Sequence, residues 1–301
     1  MRRYLALPPI AGERLDRATA ALTGLSRRRV RAIADAGQLW LNAKPCRVLS
    51  RPLVTGDVID VIPGDGETLP AAALPPPLPV LFEDGWLVAI DKPAGITTQP
   101  ARSRREGELT AQERVALQLA ARDGQRSDVL LFHRLDRITT GVLLFARQHD
   151  AARALAAAWA GGRARKRYLA VVLGDPGPGS RVVDGPVAPD PLARGRFCVD
   201  RRGKPAATEV RRLATAHGIS LVEALPRTGR THQVRVHLAA AGIPVAGDSL
   251  YGGGSGHRPF LHAWRLALPH PRDARVLSLE APLPDDMRAF LAEHGLAPPP
   301  G

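Results

Sequence analysis

The stretch LFHRLDRITTGVLLFA, residues 131–146, sets apolar runs on both sides of a knot of charge. The knot is His133, Arg134, Leu135, Asp136 and Arg137, followed by Ile138 and a Thr139-Thr140-Gly141 turn. The flanking runs DVLLF (128–132) and GVLLFA (141–146) have the length and composition of buried strands. A surface aspartate beside an arginine normally makes a weak ion pair and nothing more. A carboxylate at the junction of two segments that both want to be buried calls for another explanation.

Working outward, strand and helix patterns mix around this junction. GWLVAIDKP (85–93) reads as a strand entering a turn, and Thr110 with Glu113 makes a capping-box pattern before RVALQLAARDG, closed by Gly124. Asp150 is a candidate cap for an alanine-rich helix ending at Gly161-Gly162, and RKRYLAVVLG (165–174), ATEVRRLA (207–214) and ISLVEALP (219–226) read as strands. Thr231 can cap HQVRVHLAAAG (232–242), where Val234, Leu238 and Ala241 share a face and Pro244 blocks continuation. Glycine and proline punctuate too often for a regular parallel array, so the expectation is an α+β domain with a mixed or antiparallel central sheet.

The segment PGDGETLPAAALPPPLP (63–79) is too rich in proline and glycine for a helix or central strand. It predicts a linker over 64–79 between a small unit, 1–63, and a larger one, 80–301. In the small unit, Leu15, Ala18 and Leu22 have helical spacing, and Ser26 caps a second helix with Val30 and Ile33 inward. Arg27, Arg28 and Arg31 then lie mostly on the outer face, near a helix start whose N–H groups favour phosphate. A hairpin turning at Asn42-Ala43-Lys44 and the strand GDVIDVIP complete the unit. Residues 1–66 hold 11 Lys/Arg against 6 Asp/Glu, a net of +5.

The whole chain has 42 Lys and Arg against 29 acidic residues, a net charge of +13. That excess favours a polyanionic partner, with nucleic acid first. No run approaches 18 apolar residues, and the start MRRYLALPPIAGER is too short in apolar residues for a signal peptide. Cys46 and Cys198 stand alone, which argues against a disulfide framework or zinc site and fits the cytoplasm. His232 and His237 are five apart on a helix and do not share a face, so no metal is expected. YGGGSGHRP lacks the lysine of a nucleotide-binding loop.

Three more stretches bear on Asp136. In ARKRYLAVV (164–172), strand alternation puts Lys166 and Tyr168 on one face. In LPRTGRTHQVRVHLAAAGIPVAGDSLYGG (225–253), a Thr-Gly turn presents Arg230, whose guanidinium could hold a carboxylate bidentately and keep it ionised. The third is FLHAWRLALPHP (260–271).

With DKPAG (91–95), HRLD-x-x-T-x-G (133–141), K-x-Y (166–168), G-x-PA-x-T (203–208), GRTHQ-x-R-x-H (229–237), GD-x-x-YG (247–252) and LHA (261–263), the larger unit resembles the RluA-type pseudouridine synthases. The small unit resembles the alpha-L RNA-binding domain. The resemblance implies isomerisation of uridine in RNA without cofactor or metal, with Asp136 as the catalytic carboxylate, Tyr168 stacking on the uracil and Arg230 paired with Asp136. It implies that Arg134 enters the RNA stack, and Arg137, Lys166, His232 and Arg235 are further candidates for RNA contact. Members with an alpha-L domain mostly modify large-subunit ribosomal RNA; transfer RNA is the alternative substrate, and a non-catalytic RNA-binding or assembly protein the alternative class. A monomer is the default expectation. Thr140 stands where serine is commoner, and Gln99 where many members have histidine. Asp136 could attack ribose carbon 1′ or remove a proton from carbon 2′; the sequence leaves both open.

Overall fold

The computed structural model describes residues 1–64, 67–71, 75–99 and 108–299. Parts of the expected linker (65–66 and 72–74) and residues 100–107 therefore lie outside the described residues. The chain divides into two units, Met1–Leu78 with Thr97–Leu131, and Pro79–Ile96 with Phe132–Gly301.

In the first unit, β1 (Arg2–Leu5), α1 (Leu15–Thr23), α2 (Arg27–Asp35), β2 (Leu39–Leu41), β3 (Lys44–Pro45) and β4 (Val58–Val61) follow in order. Their antiparallel sheet runs β1-β4-β2-β3 over a core that includes Leu15, Val30, Ile33, Leu39 and Ile59. The Ser26 hydroxyl accepts the Arg29 N–H at 3.2 Å, as the cap pattern predicts. Asn42 and Ala43 both take positive φ, 50° and 60°, which suits a tight hairpin turn between twisted strands. The strand β1 carries no turn signal ahead of it and is not anticipated by the sequence.

Two boundaries differ from expectation. Leu69, within the expected linker, is buried in the first unit's core, so that stretch does not act as a free spacer. The helix α3 (Ala111–Asp123) has the expected capping box, but it groups with the first unit rather than with 80–301. Its Leu117 and Ala120 bury against Leu5 and Val58, an apolar demand that proximity in sequence does not reveal.

The second unit contains β5 (Val80–Glu83), β6 (Leu87–Lys92), β7 (Thr140–Ala146), α4 (His149–Ala160), β8 (Arg165–Leu173), β9 (Ser180–Asp184), β10 (Val187–Pro189), β11 (Phe197–Val199), β12 (Ala207–Ala216), β13 (Ile219–Pro226), α5 (Gln233–Ala240), β14 (Leu261–Pro269), β15 (Val276–Glu280) and α6 (Asp285–Glu293). Among the described residues, nine strands form one mixed sheet, ordered β5-β6-β7-β14-β8-β13-β12-β9 with β15 on β14. All its pairings are antiparallel except β7 with β14. The fold is thus α+β with a mixed, largely antiparallel sheet. Every residue of β7 is buried, which explains the continuous apolar run GVLLFA.

Three local expectations are corrected. DVLLF is not a strand: Val129 gives its carbonyl to the Gln112 side chain at 2.8 Å instead of to a ladder. Gln148, not Asp150, is the N-cap of α4; Asp150 lies in the first turn and pairs with Arg153. His232, not Thr231, is the N-cap of α5, in the left-handed conformation at φ 56°.

Gly141, the second residue of β7, has φ +111°, and a Cβ there would lie 2.2 Å from the Ala263 carbonyl oxygen. Substitution must therefore push β7 and β14 apart at their short parallel pairing. Gly141→Ala is expected to lower unfolding free energy by at least about 2 kcal/mol in denaturant titration; an unchanged midpoint would contradict this close approach.

Candidate active site

Asp136 lies in the irregular segment that ends at β7, so its backbone is not fixed by a ladder. Lys92 supplies the missing restraint. This fully buried ammonium at the end of β6 donates to the carbonyls of Pro93 (2.8 Å), Ile96 (3.0 Å) and Arg137 (3.2 Å). Burial pulls its pKa down to about 7, against the pull of the Asp136 charge, which favours the protonated form. The Gly95 N–H donates to the same Arg137 carbonyl at 2.8 Å, and Arg137 Nε returns a bond to the Gly95 carbonyl at 2.9 Å. The DKPAG turn and the charged knot are therefore laced together beside Asp136.

The partner of the Asp136 carboxylate is Arg235, not Arg230. Arg235 Nη1 lies 3.5 Å from Asp136 Oδ2, and His232 Nε2 lies 3.9 Å from the same oxygen. Arg230 instead donates its Nε to the Pro205 carbonyl at 3.1 Å and remains exposed, although it lines the same cavity. The physical reason is the start of α5. Thr228 Oγ1 (2.6 Å) and Arg230 N (3.0 Å) both donate to Gln233 Oε1, holding Arg230 in the turn before the helix. Arg235 is in the helix and buried.

A second carboxylate fixes Arg235. Asp248 accepts its Nε at 2.7 Å and Nη2 at 2.8 Å, with side chains only 1% and 3% exposed. Burial alone would lower the guanidinium pKa; Asp248 outweighs it and the net shift is upward. Arg235 thus stays cationic, with one edge held and Nη1 turned to Asp136. Asp248 and Gln233 were not singled out from sequence; the GD-x-x-YG motif was the available signal for the former.

These groups border a cavity of about 210 Å³ with Leu135, Trp159, Lys166, Tyr168, Leu261 and the 228–235 turn in its walls. The volume is below the roughly 300–1,000 Å³ of sites for drug-sized ligands, so it suits one small group with the rest of the molecule outside. Burial first, and then the Asp136 charge, push the Tyr168 phenol upward, keeping it protonated. Lys166 Nζ donates to the Thr228 carbonyl at 2.8 Å and sits 4.8 Å from the Trp159 ring centroid, while burial lowers it to about 8. Arg134 is exposed at the rim. In the first unit Arg28 and Arg31 are exposed, whereas Arg27 also pairs with buried Asp16 at 2.6 Å.

The histidines nearby are structural in geometry. His133 Nε2 accepts the Leu144 N–H at 3.0 Å, which ties the knot to β7. Thr140 Oγ1 is 2.9 Å from His262 Nδ1, so the hydroxyl shared by serine and threonine has a bonded partner here. His237 places its two nitrogens on Thr208 and the Gly185 carbonyl, both at 2.9 Å. Among the described residues, no three His, Cys, Asp or Glu side chains group as metal ligands, and no helix is long and apolar enough to cross a membrane.

The site thus gathers the Asp136 carboxylate, a guanidinium held toward it by Asp248 and a protonated phenol around one small cavity of the mixed sheet, groups suited to charge and proton handling on a small part of a larger molecule. The family described as RNA pseudouridylate synthase matches residues 86–240. The chain is 38% identical to ribosomal large subunit pseudouridine synthase D of Nitrosomonas europaea, over 94% of this chain and 84% of that protein. It is 37% identical to an uncharacterized RNA pseudouridine synthase of Chloroflexus aurantiacus, over 97% of this chain and 93% of the other. Among solved structures, human RNA pseudouridylate synthase domain containing 4 superposes with a TM-score of 0.62 at 26% identity, covering 74% of this chain and 95% of that one. The chain belongs to the RNA pseudouridylate synthase family, of the RluA type, and is an isomerase that forms pseudouridine in RNA.

Burial depresses His133 to about 3, while the unfolded chain protonates it near 6.5. The unfolded state then binds more protons between those values, so stability is complete above 6.5 and is lost as pH falls toward 3. His133→Gln can still accept the Leu144 N–H without titrating. Between pH 7 and 5 its unfolding free energy should fall by about 2 kcal/mol less than that of the native sequence; equal falls would show that His133 is not held neutral.

Proposed function

We propose that the chain isomerises uridine in large-subunit ribosomal RNA, with Asp136 as the reacting carboxylate, Tyr168 against the uracil and Arg235 as the cation that orients Asp136. The observation that carries the reading is that Arg235 Nη1 (3.5 Å) and His232 Nε2 (3.9 Å) both approach one Asp136 oxygen, Oδ2, in a small cavity that Tyr168 also lines. The reaction breaks the bond from uracil nitrogen 1 to ribose carbon 1′, turns the base and joins carbon 5 to the same sugar carbon. Nothing is oxidised or added, so one carboxylate suffices. Hydrolytic glycosidases use two, one of them for water. Attack at carbon 1′ and proton removal at carbon 2′ both require one free carboxylate oxygen facing the sugar.

The target atoms are hidden in a stacked helix, so the nucleotide has to leave its stack, and the cavity has room for one base only. Arg134, exposed beside the cavity, would occupy the gap that the uridine leaves. Lys166, with one donor on the Thr228 carbonyl, and exposed Arg230 would contact the RNA strand. The first unit, with its exposed Arg28 and Arg31, would hold flanking RNA through phosphates, in keeping with an alpha-L-type domain over residues 1–63. Ribosomal RNA is favoured over transfer RNA because relatives named for the large ribosomal subunit align along nearly the whole chain.

Asp136→Asn should abolish pseudouridine formation, with a fall of at least ~10³-fold in single turnover, while RNA affinity changes little. Retained turnover would refute the catalytic assignment; a parallel loss of binding would favour a pure RNA-binding role for this residue. Arg28→Ala and Arg31→Ala should each flatten the salt dependence of binding by about 0.7 in logarithmic slope on single-stranded RNA. Unchanged slopes would exclude phosphate contact by these side chains.

A further inference from the structure

The GD-x-x-YG turn does more than close a loop. Its backbone is tightly wound: the N–H groups of Tyr251 (3.1 Å) and Gly253 (2.8 Å) both donate to the Asp248 carbonyl. A Cβ on Gly253 would fall 1.7 Å from the Val245 carbonyl oxygen, so the turn can be closed this way only with glycine there. The turn buries two side chains, Asp248 and Tyr251, at 1% and 6% exposure. Asp248 holds Arg235. Tyr251 reaches the same constellation by two routes.

Its ring lies under the Arg235 guanidinium, with Cζ 4.9 Å from the ring centroid. Its hydroxyl oxygen accepts the Phe197 N–H at 3.0 Å and lies 2.8 Å from His232 Nδ1. A phenol oxygen that accepts from a backbone N–H still has one proton to place. Among the described residues, the acceptor in reach is His232 Nδ1. With that proton given to Nδ1, donation runs from Phe197 N–H to the Tyr251 oxygen, and from Tyr251 O–H to His232 Nδ1. That order leaves the imidazole proton on Nε2, the nitrogen 3.9 Å from Asp136 Oδ2. The imidazole ring is held edge to face by Phe197 (5.5 Å, 69°) and Tyr251 (5.8 Å, 86°). His232 keeps this place at a left-handed backbone angle that a β-substituted residue rarely adopts without surrounding restraint.

We propose that Tyr251 is a positioning residue that acts through His232 and Arg235, so that both present N–H donors to Asp136 Oδ2 and leave Oδ1 as the oxygen that faces the sugar. The proposal rests on the reading of Asp136 as the reacting carboxylate. Burial lowers the His232 pKa, which supports a neutral ring with a defined tautomer. At 3.9 Å the Nε2–H contact is longer than a hydrogen bond, so it must shorten as the ribose is bound for Nε2–H to donate. Arg235 alone would leave the carboxylate able to rotate about its own bond; two donors on one oxygen set its plane.

The test combines a tautomer measurement with a mutant cycle on the full chain. In long-range ¹H–¹⁵N spectra of histidine-labelled protein, the signal lost in His232→Gln identifies His232. The expected pattern is the Nε2–H tautomer, changing to a mixture or to Nδ1–H in Tyr251→Phe; an Nδ1–H ring in the native sequence, or no change in the variant, overturns the proposal. In single-turnover pseudouridine formation on an unmodified large-subunit ribosomal RNA transcript, Tyr251→Phe should lower the rate about 10–100-fold without changing the RNA concentration for half-saturation. His232→Gln, which still offers an N–H toward Asp136, should be less impaired than His232→Leu, and adding Tyr251→Phe to His232→Gln should cost less than about twofold more. Multiplicative losses in the double variant would mean that the hydroxyl does not act through His232. If the native chain gives no turnover on this RNA, the functional reading fails by itself, and the tautomer result still decides whether Tyr251 orients His232.

Discussion

Arg235 has one positive charge and two carboxylates to serve. Asp248 takes two of its donors at 2.7 and 2.8 Å, and Asp136 is left with Nη1 at 3.5 Å. That unequal division is what the site depends on. A buried ion pair of this kind is weak evidence of net stability, because desolvation offsets much of the attraction. Losing one member is another matter, since the remaining buried charge is uncompensated at a cost of about 3–5 kcal/mol. The arrangement therefore fixes direction more than it adds stability: the guanidinium cannot swing toward Asp136, and Asp136 must come to it.

The fold provides that meeting from separate stretches of chain. The loop ahead of β7 carries Asp136, α5 carries Arg235 with His232 as its N-cap, the 247–253 turn carries Asp248 and Tyr251, and β8 carries Tyr168. The parallel pairing of β7 with β14 and the close approach at Gly141 bring the loop to the sheet, and Lys92 clamps its carbonyls. Irregular backbone is tolerated here because buried side chains, rather than a ladder, satisfy its polar groups.

Much of this was legible in the sequence, for identifiable reasons. GVLLFA declared a fully buried strand because both faces needed apolar residues, and Thr110 with Glu113 declared a helix start because the cap is local chemistry. The choice between Arg230 and Arg235 was not legible. Both fall in GRTHQVR, and the decision rests on where α5 begins, which is set by His232 in a left-handed conformation and by the remote bond from Gln233 to Thr208. The grouping of α3 with the first unit was equally hidden, because it depends on Leu5 and Val58, far away in the chain. The net charge of +13 pointed to a polyanion but not to particular contacts. Many arginines prove to be committed within the protein, as Arg27 is to Asp16 and Arg212 to Asp175.

If Asp136 is the reacting carboxylate, its Oδ2 stays with Arg235 while its other oxygen meets the sugar. A crystal structure of the full chain bound to RNA with a non-isomerising uridine analogue at the target position measures this directly. The expected structure has Asp136 Oδ2 on Arg235 Nη1 and Oδ1 within about 3.5 Å of ribose carbon 1′ or 2′ of the analogue. An Asp136 carboxylate turned away from the ribose, or a ribose approached by other groups with Asp136 still outside reach, would contradict it.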